Sequence, residues 1–307
     1  MIMQDTVFFY EDMRDENMQG EEEPCVRITG AQHLGALLQI PERLDEKAVR
    51  SIGKKAFWGC DGVREIMLPE SVCEIEDWAF ASCKNLRTIR IPHRQVLLGR
   101  GVFRGCGRLE IIEIEEAPFS EDADGKRSVG HLLAAGDRLL ASPYLLDIAN
   151  AGTGEWYARL DAALEKLMSA AEDEGFSKML LCGEEDYGSR ENNIDHYCAE
   201  QRRKKARAAL LRLRYDDCLN GKLREELTAF LTAHTMGCQT REAWDVLVEE
   251  HGEDRSYYEL FESVGGIHAQ NREQCIAALG EAHTEMKAYL LGAAAKAEGD
   301  FFDSLAL

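Results

Sequence analysis

A phenylalanine and a cysteine return together every 23 residues, as "AFWGC" at 56–60, "AFASC" at 79–83 and "VFRGC" at 102–106. The same interval aligns Val63, Leu86 and Leu109, then Ile66, Ile89 and Ile112, then Leu68, Ile91 and Ile114. Apolar columns at such a period mark stacked units, because one unit cannot bury its own apolar side and neighbours must seal it. Ile52, Ile75 and Leu98 with Phe57, Phe80 and Phe103 and with Cys60, Cys83 and Cys106 are therefore expected to form the repeat core. Like residues should lie over like at the strand spacing of about 4.8 Å. Cysteine, which behaves as a small hydrophobe, suits a column too narrow for leucine.

The tail of each unit alternates, as "VREIMLP", "LRTIRIP" and "LEIIEIE", so it is expected to be a short strand, which Pro69 and Pro92 terminate by withholding a donor. The segment before it suits a tight, partly helical turn. Adjacent units place equivalent outward positions side by side, which makes Arg64, Glu65, Met67, Arg87, Thr88, Arg90, Glu110, Ile111 and Glu113 the candidate surface for a protein partner. The plain alternative is a solvated sheet face. Trp58 and Trp78, in the turns, would mark a binding patch if exposed and plain packing if buried, and are read as packing residues.

"LPESVCEIEDWAFASCKNLRTIRIP", residues 68–92, resembles the BspA-type leucine-rich repeat, whose pattern runs I-P-x-S-V-x-x-I-G-x-x-A-F-x-x-C-x-x-L-x-x-I-x-I-P. The resemblance covers about 40–115. It departs from the pattern in the first unit, which is five residues longer, and in the third, where "HRQVLLGRGVF" lacks the Ser-Val pair. It implies a curved solenoid that binds proteins or ligands, often on cell surfaces. Residues 1–39, with "TVFFY" and "CVRIT" around the acidic "EDMRDENMQGEEE", are expected to supply N-terminal cap strands. The solenoid is expected over 40–150, where "SEDADGKR" reads as an exposed loop and "HLLAAGDRLLASPYLLDI" as a degenerate last coil.

From about Glu155 the pattern becomes helical, so the fold class is α+β multidomain, a short β-solenoid followed by an all-α domain over 151–307. From about 206 an interval of 31 residues aligns Arg241 with Arg272, Glu242 with Glu273, Leu213 with Trp244, and Leu227 with Tyr258 and Tyr289. Pairs of short helices stacked at that interval resemble degenerate ankyrin-type repeats, although the T-P-L-H signature is absent. A generic helical bundle is the other reading.

The net charge of -20 repels phosphate backbones and anionic membranes, so nucleic acid and membrane are excluded as partners. The basic run Arg202, Arg203, Lys204, Lys205 and Arg207 is read as a solvated helix face flanked by acids. The N-terminus carries acids where an export signal needs bases, and no apolar stretch approaches a membrane span, which together predict a cytoplasmic location. Ten cysteines without a CxxC pair are then free thiols.

No phosphate-loop, dinucleotide, metalloprotease or hydrolase motif occurs. His196 and Cys198, in "NIDHYC", read as a helix start with a buried thiol rather than a catalytic pair. His234, Cys238 and His251 lack metal-ligand spacing. The sequence therefore predicts no catalytic residue, metal or cofactor, and a non-enzymatic interaction or scaffold module whose oligomeric state it leaves open. The competing classes are an enzyme or metal-binding regulatory module with its site in the helical half, and a surface adhesin exported without a recognisable signal.

Overall fold

The computed structural model describes residues 6–16, 22–115, 123–177 and 193–292. The chain divides into two compact units, Met1–Ala163 and Leu164–Leu307.

In the first unit each 23-residue repeat closes one coil and gives a short strand to each of two sheets. One sheet begins with β1 (Val7–Glu16) and β2 (Glu22–Gln32), an antiparallel hairpin. The second sheet begins with β3 (Leu37–Gln39). Next, β4 (Arg43–Leu44) folds back on β5 (Lys47–Ile52). The repeats then alternate between sheets through β6 (Glu65–Met67), β7 (Glu74–Ile75), β8 (Thr88–Ile91), β9 (Leu97–Leu98) and β10 (Ile111–Ile114). The sheet orders are β1-β2-β5-β7-β9 and β10-β8-β6-β3. From β2 onward the main path is parallel, as a coil that advances in one direction requires.

The register follows the repeat. Ile52 pairs with Ile75 and Ile75 with Leu98, while Leu38, Ile66, Ile89 and Ile112 form one buried row. Phe57 and Phe80 stack with centroids 5.4 Å apart, and Phe80 and Phe103 at 6.2 Å, in nearly parallel planes. Two expected core residues are only partly buried: Leu98, on the last strand of its sheet, and Cys60, in the first turn. The cysteine column does more than fit. The Cys83 thiol donates to the Phe57 carbonyl at 3.1 Å and the Cys106 thiol to the Phe80 carbonyl at 3.2 Å, a link no aliphatic side chain could make. The hydrogen bond with Cys106, reinforced by burial and opposed by Cys60, pushes the Cys83 thiol up to about 12.

The turns repeat in backbone even where their side chains differ. Lys55, Trp78 and Gly101 occupy one left-handed position, with φ of 59, 56 and 61°, and Gly59, Ser82 and Gly105 a second, with φ of 71, 61 and 80°. The five extra residues of the first repeat also have a local cause. Leu38 meets Ile66 across 28 residues because β4 and β5 form a tight hairpin, with Asp45 and Glu46 both at positive φ as a primed turn requires.

The segment expected as a degenerate last coil is instead helical. Helix α1 (Ala123–Arg138), which includes the end of "SEDADGKR", is followed by a 3-10 turn at Pro143–Leu145. The run 120–122 and the tip of the acidic N-terminal stretch at 17–21 lie outside the described residues. Leu132, Leu133, Ala135 and Leu139 are buried, a helical and not an alternating spacing. Helix α1 packs on β10 at close range, since a Cβ on Gly130 would stand 2.7 Å from the Ile112 carbonyl oxygen and 2.9 Å from Ile111 Cγ1. It thereby shields the last edge strand, while β2, paired with β5, covers the first coil. Helix α2 (Gly154–Ser169) follows, with Trp156 fully buried and its Nε1 donating to the Leu145 carbonyl at 3.0 Å.

The second unit contains α3 (Ile194–Arg214), α4 (Gly221–Ala233), α5 (Glu242–His251), α6 (Arg255–Ser263) and α7 (Arg272–Ala278), then a helical run through 284–292. The 31-residue interval survives as burial, with Leu213, Trp244 and Cys275 buried in one column and Leu227 and Tyr258 in another. Tyr289 is only half-buried and donates to Glu262 at 3.0 Å. Successive loops are tied together: the Thr235 hydroxyl donates to the Gly266 carbonyl at 2.8 Å, and the Asn271 amide to the Met236 and Gly266 carbonyls at 3.0 Å each.

Phe80→Ala removes the middle ring of the stack and should destabilise the protein by about 3–5 kcal/mol in urea denaturation. Gly130→Ala, a change that in an open helix stabilises by about 0.5–1 kcal/mol, should here destabilise, because its methyl meets backbone. Brief iodoacetamide treatment near pH 8 should label the exposed Cys218 and Cys238 at least about tenfold faster than the buried Cys83 and Cys275, read by peptide mass spectrometry; both buried thiols sit up at about 12, Cys275 through burial.

Candidate interaction surface

Strand pairing sets six of the nine predicted surface residues in two rows. Glu65, Thr88 and Ile111 are aligned across β6, β8 and β10, as are Met67, Arg90 and Glu113. Arg90 lies between two carboxylates, 3.1 Å from Glu65 and 2.8 Å from Glu113, and Arg87 reaches Glu110 at 3.0 Å. Glu113 is the main cause that raises the Arg90 pKa. Such half-exposed pairs contribute only about 0–1 kcal/mol each, but they hold long side chains in one arrangement. Arg64 is exposed on the same face. Ile111 departs from the expectation: it is 8% exposed, because Gly130 lets α1 close over it. Leu37, which the 23-residue register did not reach, is 48% exposed on β3 beside Glu65.

The turn side departs further. Trp58 is 49% exposed and not a packing residue, and Trp78 is half-buried. Lys55 sits over both rings, at 4.9 and 5.5 Å from their centroids, and Lys54 over Trp78 at 5.3 Å. Beyond Trp78 a cavity of about 800 Å³ opens between the last turn and the end of α1, with Arg100, Arg104, Asp137, Arg138 and Tyr144 among its lining residues. Burial raises the Asp137 pKa against the opposing pull of Arg104. Nothing in the repeat pattern pointed to this cavity, since its far wall comes from a helix outside the period.

The candidates in the helical half do not assemble into a reactive site. Asn193 caps α3, its side chain accepting from the amides of Asp195 and His196 at 2.8 and 3.4 Å. His196 is exposed, and burial followed by Glu172 raises the Cys198 pKa, the reverse of what a nucleophilic thiol needs. His234 contacts Thr240 at 2.5 Å, Cys238 donates to the Thr232 carbonyl at 3.4 Å, and His251 stacks on Tyr257 at 3.6 Å. Among the described residues no three His, Cys, Asp or Glu side chains gather as a metal group.

The basic run is not a solvated face. Arg202 pairs with Glu172 and Glu242 at 2.5 and 2.8 Å, Arg203 with Glu249, and Arg207 with Glu250 at 2.5 Å. Lys205 is 6% exposed and donates to the Met168 and Ala170 carbonyls at 3.1 and 2.6 Å. The flanking acids noted in the sequence are thus partners across the unit, and the run is structural.

The profile described as BspA type leucine rich repeat region, of six copies, matches residues 41–120. Among solved structures the chain is similar to a leucine-rich repeat protein from Bacteroides ovatus ATCC 8483, at 29% identity and a TM-score of 0.29 over 37% of this chain and 29% of that one. A leucine rich cell surface protein from Faecalibacterium prausnitzii A2-165 gives 19% identity and a TM-score of 0.27, over 35% and 30%. A leucine rich repeat protein from T. pallidum gives 22% and 0.24, over 32% and 55%. The chain thus spans under a third of the first two and 55% of the third. No curated protein matches it. With its parallel coils, stacked phenylalanines and matching profile, the stretch 41–120 is a BspA-type leucine-rich repeat region, followed in this chain by helices.

Proposed function

We propose that the chain is a non-enzymatic interaction module that holds a protein partner on the strand face formed by β6, β8 and β10. The observation that carries this reading is Arg90 fixed between Glu65 and Glu113. Side chains already ordered lose less freedom on binding, and alternating charge in fixed rows discriminates among partners. Arg64, Met67, Arg87, Thr88 and Glu110 complete the face, with Leu37 as an apolar contact at its border.

The helical unit is read as a second repeat array of ankyrin-like helix pairs, supported by the loop ties from Thr235 and Asn271. A cytoplasmic location accords with the described cysteines, nine free thiols.

The test is affinity capture from extract of the source organism, comparing the native chain with an Arg87→Glu, Arg90→Glu variant of matched thermal stability. Proteins retained by the native chain should fall at least about fivefold with the variant, as expected when charge complementarity is reversed. Equal retention by both would remove the strand face from the reading.

A further inference from the structure

Every turn of the coil directs the same three amides along the coil axis. Lys55, Phe57 and Gly59 donate to the carbonyls of Asp77, Ala79 and Ala81 at 3.2, 2.8 and 2.9 Å. Trp78, Phe80 and Ser82 donate to those of Arg100, Val102 and Arg104 at 2.9, 3.1 and 2.7 Å. The third set is Gly101, Phe103 and Gly105, and the φ of Gly101 and Gly105 keeps this turn in the same left-handed shape. Among the described residues no further coil follows it, because the element after β10 is α1. Among the described residues these three amides have no acceptor.

The chemistry of the missing acceptor can be read from the earlier turns. There the three donors are met by alternate carbonyls of one continuous run of main chain, which a single compact anion cannot span. An edge of unmet amides is a template for added backbone. The adjoining cavity of about 800 Å³ selects for charge, since the exposed Arg100 and Arg104 are among its lining residues. Arg104 has no ion pair among the described residues, and Arg100, with an 88% exposed side chain, reaches Asp77 only at 3.6 Å.

We infer that the C-terminal end of the coil binds an extended acidic segment of a partner protein. Its alternate carbonyls accept from Gly101, Phe103 and Gly105, its carboxylates lie on Arg100 and Arg104, and an apolar side chain rests against Trp78 and Tyr144. This site shares no residue with the strand face, so either can fail while the other stands.

The test uses the full ¹⁵N-labelled chain and the peptide acetyl-Glu-Asp-Leu-Glu-Asp-Leu-Glu-amide, with a lysine-substituted peptide and inorganic tripolyphosphate as separate arms. The acidic peptide should bind with a dissociation constant of about 10–100 μM and slow hydrogen exchange at Gly101, Phe103 and Gly105 at least about tenfold. Arg100→Glu with Arg104→Glu should weaken binding at least about tenfold while Tm stays within about 4 °C. The inference is overturned if about 2 mM peptide leaves the three amides unprotected, if the charge-reversed variant or the lysine peptide binds equally well, or if tripolyphosphate alone protects all three.

Discussion

The structure rests on an axial ladder. Each turn sends alternate amides to the carbonyls of the turn one repeat later, and the phenylalanine rings and cysteine thiols stack in the same direction. For all three kinds of link to close together, every coil must use the same length of chain and the same turn. The extra residues of the first repeat are tolerated because they are spent in a side hairpin, β4–β5, that leaves the ladder undisturbed. Where the turn demands a left-handed residue the chain supplies lysine, tryptophan or glycine alike, so the backbone geometry outranks the local preference of the side chain.

A ladder of this kind has two ends, and each exposes unpaired backbone. The N-terminal hairpin meets the first coil with strand pairing, and α1 covers β10 with a helix whose glycine permits close approach. A helix has satisfied its own amides and cannot supply alternate carbonyls to a turn. The strand edge is therefore shielded while the turn amides beside it stay unmet, and the cavity at that end is a consequence of how the solenoid is closed.

The acidity of the chain conceals a local arrangement of charge. On the strand face, arginines and glutamates one coil apart satisfy each other, and in the helical unit Arg202, Arg203 and Arg207 are matched by acids from other segments of that unit. Around Trp78, by contrast, cations lie against exposed rings or face solvent. Net charge excludes classes of partner, but only the pairing of individual groups shows which are still available to bind.

Residues 40–115 were legible because a solenoid repeats one environment, so a single interval in the sequence reports burial, strand and turn at once. The core columns, the strand tails and their proline ends all follow from it, and so does the surface row containing Arg90. The helix pairs showed through more faintly, since a 31-residue interval fixes burial in columns such as Leu213, Trp244 and Cys275 but not which acids meet the basic run. What only the tertiary structure decided lies where the period stops. That α1 is a helix, that it buries Ile111, that Trp58 stands in solvent, and that three amides of the last turn lack acceptors all depend on which element comes next to the final coil. Repetition encodes the contacts between like units; a contact between unlike units is made once, leaves no interval to detect, and is settled by packing alone.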